Sequence, residues 1–210
     1  MRRQSRFRLG FAGKSVESAF SRMVGESLQR AASERGLDLV LLDNRGSVTA
    51  ALRNADRLVR EQVDVAIEFQ VHERAAAALS AKFLEARIPL IAIEIPHPGA
   101  VYFGGNNYEA GRLCGQTLGQ RARQAWHGTV DQVLLLEMPA GGPLPHSSMT
   151  GLRRGLREVL PGLGEECFVA VDGKGDFGAS LDVVRRYLRR SPPGHCLVGA
   201  INDASALGAL

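Results

Sequence analysis

Short apolar runs alternate with stretches of helical periodicity along most of the chain, and that alternation restricts the fold more than any other feature. Residues 6–12 read as a first strand, with Phe7, Leu9 and Phe11 alternating. Residues 17–35 follow as a helix, with Phe20, Met23, Val24, Leu28, Ala31 and Ala32 on one apolar face, and Gly36 ends it as a left-handed cap. The run 37–42 suits a strand buried on both faces of a parallel sheet. A turn at 43–46 leads to a helix over 48–62, a strand over 63–69, an alanine-rich helix over 73–86 and a strand over 89–95. Elements of these lengths predict βαβ units, a parallel sheet with helices on both faces, and all loops after the strands on one edge.

The stretch 101–118, VYFGGNNYEAGRLCGQTL, breaks the pattern. A β-prone run ends at Gly104 and Gly105, Asn106 and Asn107 follow, and an amphipathic helix begins over 108–124. The alternation then restarts: a strand over 132–138, a Gly/Pro-rich loop over 139–145, a helix over 147–160 and a strand over 167–171. A helix over 177–190 turns Leu181, Val184, Tyr187 and Leu188 inward, and after a strand over 197–201, Asp203 can cap a last helix. The stretch reads as a first crossing between two lobes with a cleft beside it: 1–105, expected to be incomplete without a missing C-terminal part, and 106–210, expected to be truncated. The last helix runs apolar to Leu210, which predicts a chain incomplete at its C-terminus.

A length of 210 residues suffices to bury two cores. No run approaches the ~18 apolar residues of a membrane span. The basic head is followed by an apolar stretch broken by Arg8 and Lys14, too short for a signal-peptide core. The chain is therefore cytoplasmic or lacks its leader. The net charge of +4 raises nucleic-acid binding, but the arginines are spread over many helices. Arg2 and Arg3 form one dense pair; Arg185, Arg186, Arg189 and Arg190 read as a solvated helix face. The three cysteines show no CxxC spacing, so no disulfide framework is expected. Cys114 shares a stripe with Ala110, Leu113, Thr117 and Leu118 and reads as a buried free thiol.

Motifs for chemistry are sparse. Gly13, Lys14 and Ser15 imitate a phosphate loop, but Arg8 stands where its first glycine is needed. Asp176, Phe177 and Gly178 imitate a kinase metal motif without the rest of its signature. The five histidines are isolated, so no metal site is expected. No cofactor is implied. Glu68 and Glu94 end two strands and are either a general acid and base or acceptors for ligand hydroxyls; neither is expected to be catalytic. A doubly wound sheet places ligands outside the carboxyl ends of its strands.

Several segments, in this order, resemble the type I periplasmic sugar-binding proteins of the ribose-binding kind, whose fold the effector domains of LacI-type repressors share. They are LGFAGKSVESAF, LVREQVDVAIEFQ, IPLIAIEIPHPGA, FGGNNYEAGRLCGQTL and VGAINDASALGAL. The resemblance covers essentially the whole chain. It implies an α/β fold of two αβα lobes with parallel sheets and three crossing segments, of which only the first is present. A ligand is enclosed when such lobes close. By position, Phe20 and Phe177 match aromatics that pack on a sugar ring, and aromatic faces bury the C–H faces of sugars well. Glu94 matches an acceptor for sugar hydroxyls, and Asn202 and Asp203 match an Asn-Asp pair at the second lobe's rim. Ser15, Glu17 and Gln70 point to the same edge. Asn106 and Asn107 match the crossing, as a hinge. Two departures stand out: Val16 to Phe20 replaces an NPFF-like start, and Ser147, Ser148 and Met149 stand where an Arg usually reaches the sugar. His146 is the candidate substitute.

The leading expectation is a solute-binding protein of an ABC-type sugar importer, periplasmic and presented to a membrane permease. The alternative is the effector domain of a LacI-type regulator, cytoplasmic, reaching DNA only through an N-terminal domain lost before MRRQSRFR.

Overall fold

The computed structural model describes residues 7–17, 19–70, 72–190 and 194–210. Arg2, Arg3, Arg6 and Ser18, which enter the sequence reading, lie outside them. The chain divides into two units, Met1–Gly104 and Gly105–Leu210, each taken by itself below.

In the first unit, β1 (Arg8–Gly13), β2 (Asp38–Asp43), β3 (Val65–Phe69), β4 (Leu90–Ile93) and β5 (Val101–Phe103) form a parallel sheet in the order β2-β1-β3-β4-β5. Helix α1 (Ala19–Glu34) covers one face, where Phe11, Ile67 and Phe69 pack with Val24 and Leu28. Helices α2 (Val48–Arg60) and α3 (Ala76–Glu85) cover the other, over Ala12, Ala66, Leu58, Leu79 and Phe83. The strand period of two divides β3 between these layers, sending Ile67 and Phe69 to one and Ala66 and Glu68 to the other.

The second unit begins with α4 (Asn107–Trp126) and continues through β6 (Gln132–Glu137), α5 (Pro143–Val159), β7 (Phe168–Asp172), α6 (Phe177–Arg190), β8 (Cys196–Ala200) and α7 (Asp203–Ala209). Its parallel sheet has the order β7-β6-β8. Helices α4 and α5 bury Val133, Leu135, Met149, Leu152 and Leu156 against one face. Helices α6 and α7 bury Leu134, Leu136 and Val184 against the other. Both units are thus αβα sandwiches.

The structure corrects several expectations. Strand β4 ends at Ile93, short of the expected 95, and the link 94–100 runs directly into β5. It is folded by Glu94 N–H donating to Phe103 O at 3.0 Å and Ala100 N–H to His97 O at 3.1 Å. Strand β2 is not buried on both faces, because it lies at the sheet edge, where Leu41 is exposed. Helix α5 starts inside the expected 139–145 loop, since a proline in the first turn gives up no helical hydrogen bond. His146 is therefore helical. Residues 73–75 form a 3₁₀ turn ahead of α3.

Three helix faces are rotated from their expected positions. In α1, Phe20 and Met23 are exposed while Ser21 and Gly25 are buried. In α6, Leu188 is exposed and Val183 packs in its place. In α4, Ala110, Leu113, Cys114 and Thr117 are exposed, and Gly111, Gly115, Gly119 and Ala122 face inward. The last case has a clear cause: glycine lets helix backbones approach. A Cβ at Gly115 would lie 2.1 Å from Leu152 O, and one at Gly155 of α5 would lie 1.9 Å from Arg112 O. The expected buried thiol at Cys114 is thus displaced to the surface by close helix packing on the opposite side.

Candidate functional site

The loops after the strands carry the candidate residues, and each unit presents its own set. In the first unit β1, β3 and β4 are neighbours, so the segments that follow them stand side by side. Ser15 follows β1, and its Oγ accepts from Glu17 N–H at 3.2 Å; Glu17 itself is exposed. Phe20, in the first turn of α1, is 63% exposed and meets Phe69 edge-on at 6.1 Å and 86°. The reading of Phe20 as plain core is therefore excluded. Gln70 follows β3 but is turned inward: its Oε1 accepts from His72 N–H, and its buried Nε2 has no partner among the described residues. Glu94, half-buried, directly follows β4 with a φ of 65°, a left-handed backbone uncommon outside glycine. Its charge is a secondary cause, after burial, of the raised Tyr102 hydroxyl.

Glu68 belongs to a different layer. It is fully buried on the α2 and α3 face. Asn44 Nδ2 donates to its Oε2 at 3.2 Å and to Ala12 O at 3.3 Å. Asn54 Nδ2 in turn donates to Asn44 Oδ1 at 2.8 Å. Burial pushes the Glu68 carboxyl up to about 8, against the opposing pull of the Asn44 hydrogen bond. It is largely neutral at pH 7 and closed off from solvent. Sequence reasoning missed Asn44, because an Asn after a strand reads first as a turn residue, and Asn54, because a polar residue inside an amphipathic helix reads first as its solvent face.

In the second unit, the loops after β6, β7 and β8 converge. Asn202 is the N-cap of α7: its Oδ1 accepts from Ser205 N–H at 2.9 Å, and its Nδ2 donates to Gly175 O at 3.0 Å. Asp203 is the first helical residue and not the cap. Asp176 Oδ1 accepts from Ala179 N–H at 2.9 Å, which accounts for the kinase-like triplet as a helix start. Phe177 opens α6 and is 51% exposed. Asn106 caps α4, accepting from Glu109 N–H at 3.0 Å, and Asn107 Nδ2 donates to Gly105 O at 3.5 Å.

Beside these polar groups lies a cavity of about 400 Å³, lined chiefly by Met138, Pro139, Pro143, Pro145, His146 and Met149. No sequence signal marks it, since its walls come from a strand end, a short turn and a helix start. Among the described residues, no group of three or more His, Cys, Asp or Glu is placed to hold a metal. No described helix is long and apolar enough to cross a membrane.

Two αβα units with parallel sheets, bearing polar and aromatic side chains on the edges beyond their strands, define the fold of the type I periplasmic binding proteins. Residues 9–210 match the family model for the periplasmic binding protein domain, and the chain belongs to that family. A Mycobacterium smegmatis protein solved in complex with β-D-fucofuranose is 25% identical, with a TM-score of 0.82 over 97% of this chain and 67% of its own. A periplasmic solute-binding protein of an ABC transporter from Actinobacillus succinogenes, with bound D-allose, is 17% identical (TM-score 0.80, 96% of this chain and 71% of its own). The Caulobacter myo-inositol binding protein, bound to myo-inositol, is 18% identical (TM-score 0.79, 100% and 70%). The chain thus spans about two thirds of their length. No functionally curated protein matches the sequence.

Proposed function

We propose that the chain is the solute-binding component of an ABC-type sugar importer, working outside the cytoplasm and delivering a sugar to a membrane permease without chemistry. The observation that carries this reading is the likeness, over 97% of the chain, to the Mycobacterium smegmatis protein with its bound furanose. The residues proposed to meet the sugar are Ser15, Glu17, Phe20, Gln70 and Glu94 in the first unit and Phe177, Asn202 and Asp203 in the second. Phe20 and Phe177 offer exposed rings for the C–H faces of a sugar. Asn202 retains one N–H and one lone pair beyond its two protein hydrogen bonds, enough for a hydroxyl. Asn106 and Asn107 are proposed as the hinge.

A thermal-shift panel of pentoses, hexoses, polyols and inositols tests the reading. A ligand at 100 times its Kd stabilises the folded state by about 2.7 kcal/mol. At least one sugar is expected to raise the melting temperature, with the shift reduced in Phe177→Ala and in Glu94→Gln. A panel without any shift would remove the sugar claim.

A further inference from the structure

We propose that the cavity beside Met138 receives an apolar part of the ligand, so that the preferred sugar carries an apolar substituent: a deoxy carbon, or an alkyl or aryl aglycone. The cavity's role rests on the sugar-binding reading.

Met138 directly follows β6, the central strand of its sheet. One side of its side chain abuts the loop after β7. A Cβ on Gly175 would lie 2.7 Å from Met138 Sδ and 3.1 Å from Asn202 Nδ2. The same Gly175 offers its carbonyl to Asn202. Met138 is therefore a wall shared by the polar edge, where Asn202 stands, and the cavity. A ligand hydrogen-bonded at Asn202 has the Met138 thioether next to it.

Apart from Glu137, Gly142 and His146, the other walls have little to offer a hydroxyl. Pro139, Pro143 and Pro145 have no N–H to donate. Met149 is buried and contributes a thioether. Two ionisable groups line the cavity. Glu137 faces Arg153 at 3.9 Å, and His146 is exposed in the first turns of α5. A volume of about 400 Å³ falls in the range of small-molecule sites, which are mostly apolar with a few placed polar groups. It exceeds what a single methyl fills, so an aglycone fits as well as a deoxy carbon. A hydroxyl placed here would lose water and find few partners, whereas a methyl or phenyl group would leave water for an apolar wall. One methylene in such a pocket changes affinity roughly 10- to 200-fold.

The test is calorimetric titration of the chain with matched pairs. One arm compares galactose with fucose, its 6-deoxy counterpart, and L-mannose with L-rhamnose. The other compares each free sugar with its methyl and phenyl glycosides. In at least one arm the apolar member is expected to bind about tenfold or more tightly than its partner, and the responding arm tells a deoxy carbon from an aglycone. The ratio should collapse in Met138→Gln, which keeps the side-chain length but makes the shared wall polar, and shrink in Pro145→Ser, a second apolar part of the lining. Circular dichroism confirms that both variants fold. Hydroxylated members that bind as tightly as their apolar partners overturn the inference while leaving the sugar-binding reading intact. A preference that survives both substitutions overturns it as well. If no sugar of either kind binds, the reading beneath it falls too, and the wider sugar panel reports that separately.

Discussion

Glu68 shows how far one side chain can depart from its sequence meaning. A Glu at the end of a strand suggests a ligand contact, yet this one is fully buried and held by Asn44. Its folded value of about 8 lies above the ordinary 4.5, so the folded chain binds the proton more tightly than the unfolded one. The resulting stability is fully present below about 4.5 and is lost as pH rises through about 8. Denaturant titrations at about pH 5 and pH 9 should show wild type losing about 3 to 5 kcal/mol across that window, and Glu68→Gln losing much less. Equal losses would show that the carboxyl is not the group responsible. Asn202 carries a second lesson. Its side chain already caps α7, so Asn202→Ala should cost about 1 kcal/mol of stability before any ligand is considered. Asn202→Ser retains a capping oxygen and should recover most of that, which denaturation without sugar will show. A sugar affinity lost in both variants then reports contact rather than folding.

At the scale of elements, the pairing of α4 with α5 is decided by glycine. Gly111 and Gly115 meet backbone atoms of α5, and Gly151 and Gly155 meet backbone atoms of α4. Adding a methyl here forces the helices apart, because the obstructing atoms are carbonyl oxygens and not flexible side-chain ends. Gly155→Ala should cost about 1 to 3 kcal/mol or more, as overpacking does. Gly162→Ala, with nothing within 4 Å of its Cβ, should lie within about 0.5 kcal/mol of wild type. Equal effects in the two variants would remove the close-approach account. Periodicity placed α4 correctly but chose the wrong face, since hydropathy credits Leu113 and Cys114 and gives glycine no weight. The same bias put Phe20 and Met23 inward on α1. Their exposure follows from Ser21 and Gly25 being the residues small enough to lie against the sheet.

For the whole molecule, each unit has its own sheet and its own buried clusters on both faces. We propose that the units are separate folding domains. Residues 1–104 expressed alone should unfold in a single cooperative transition, as a domain with its own core does. A gradual, non-cooperative melt would show that the division is geometric only. The sequence by itself determined the alternation of strands and helices, the parallel sheets, the interruption near Gly104 and Gly105, and most of the residues on the loop-bearing edges. These are local properties: periodicity, turn chemistry and capping act over a few residues. Strand order is not local. The runs DLVLLD and QVLLLE are nearly alike as sequences, yet β2 lies at an edge with Leu41 exposed, while β6 lies at a centre with Val133 to Leu136 all buried. Only the tertiary structure decided that, as it decided the glycine face of α4, the burial of Glu68 and the Met138 cavity. Each depends on which elements become neighbours, and a neighbour distant in the chain leaves no period in the sequence.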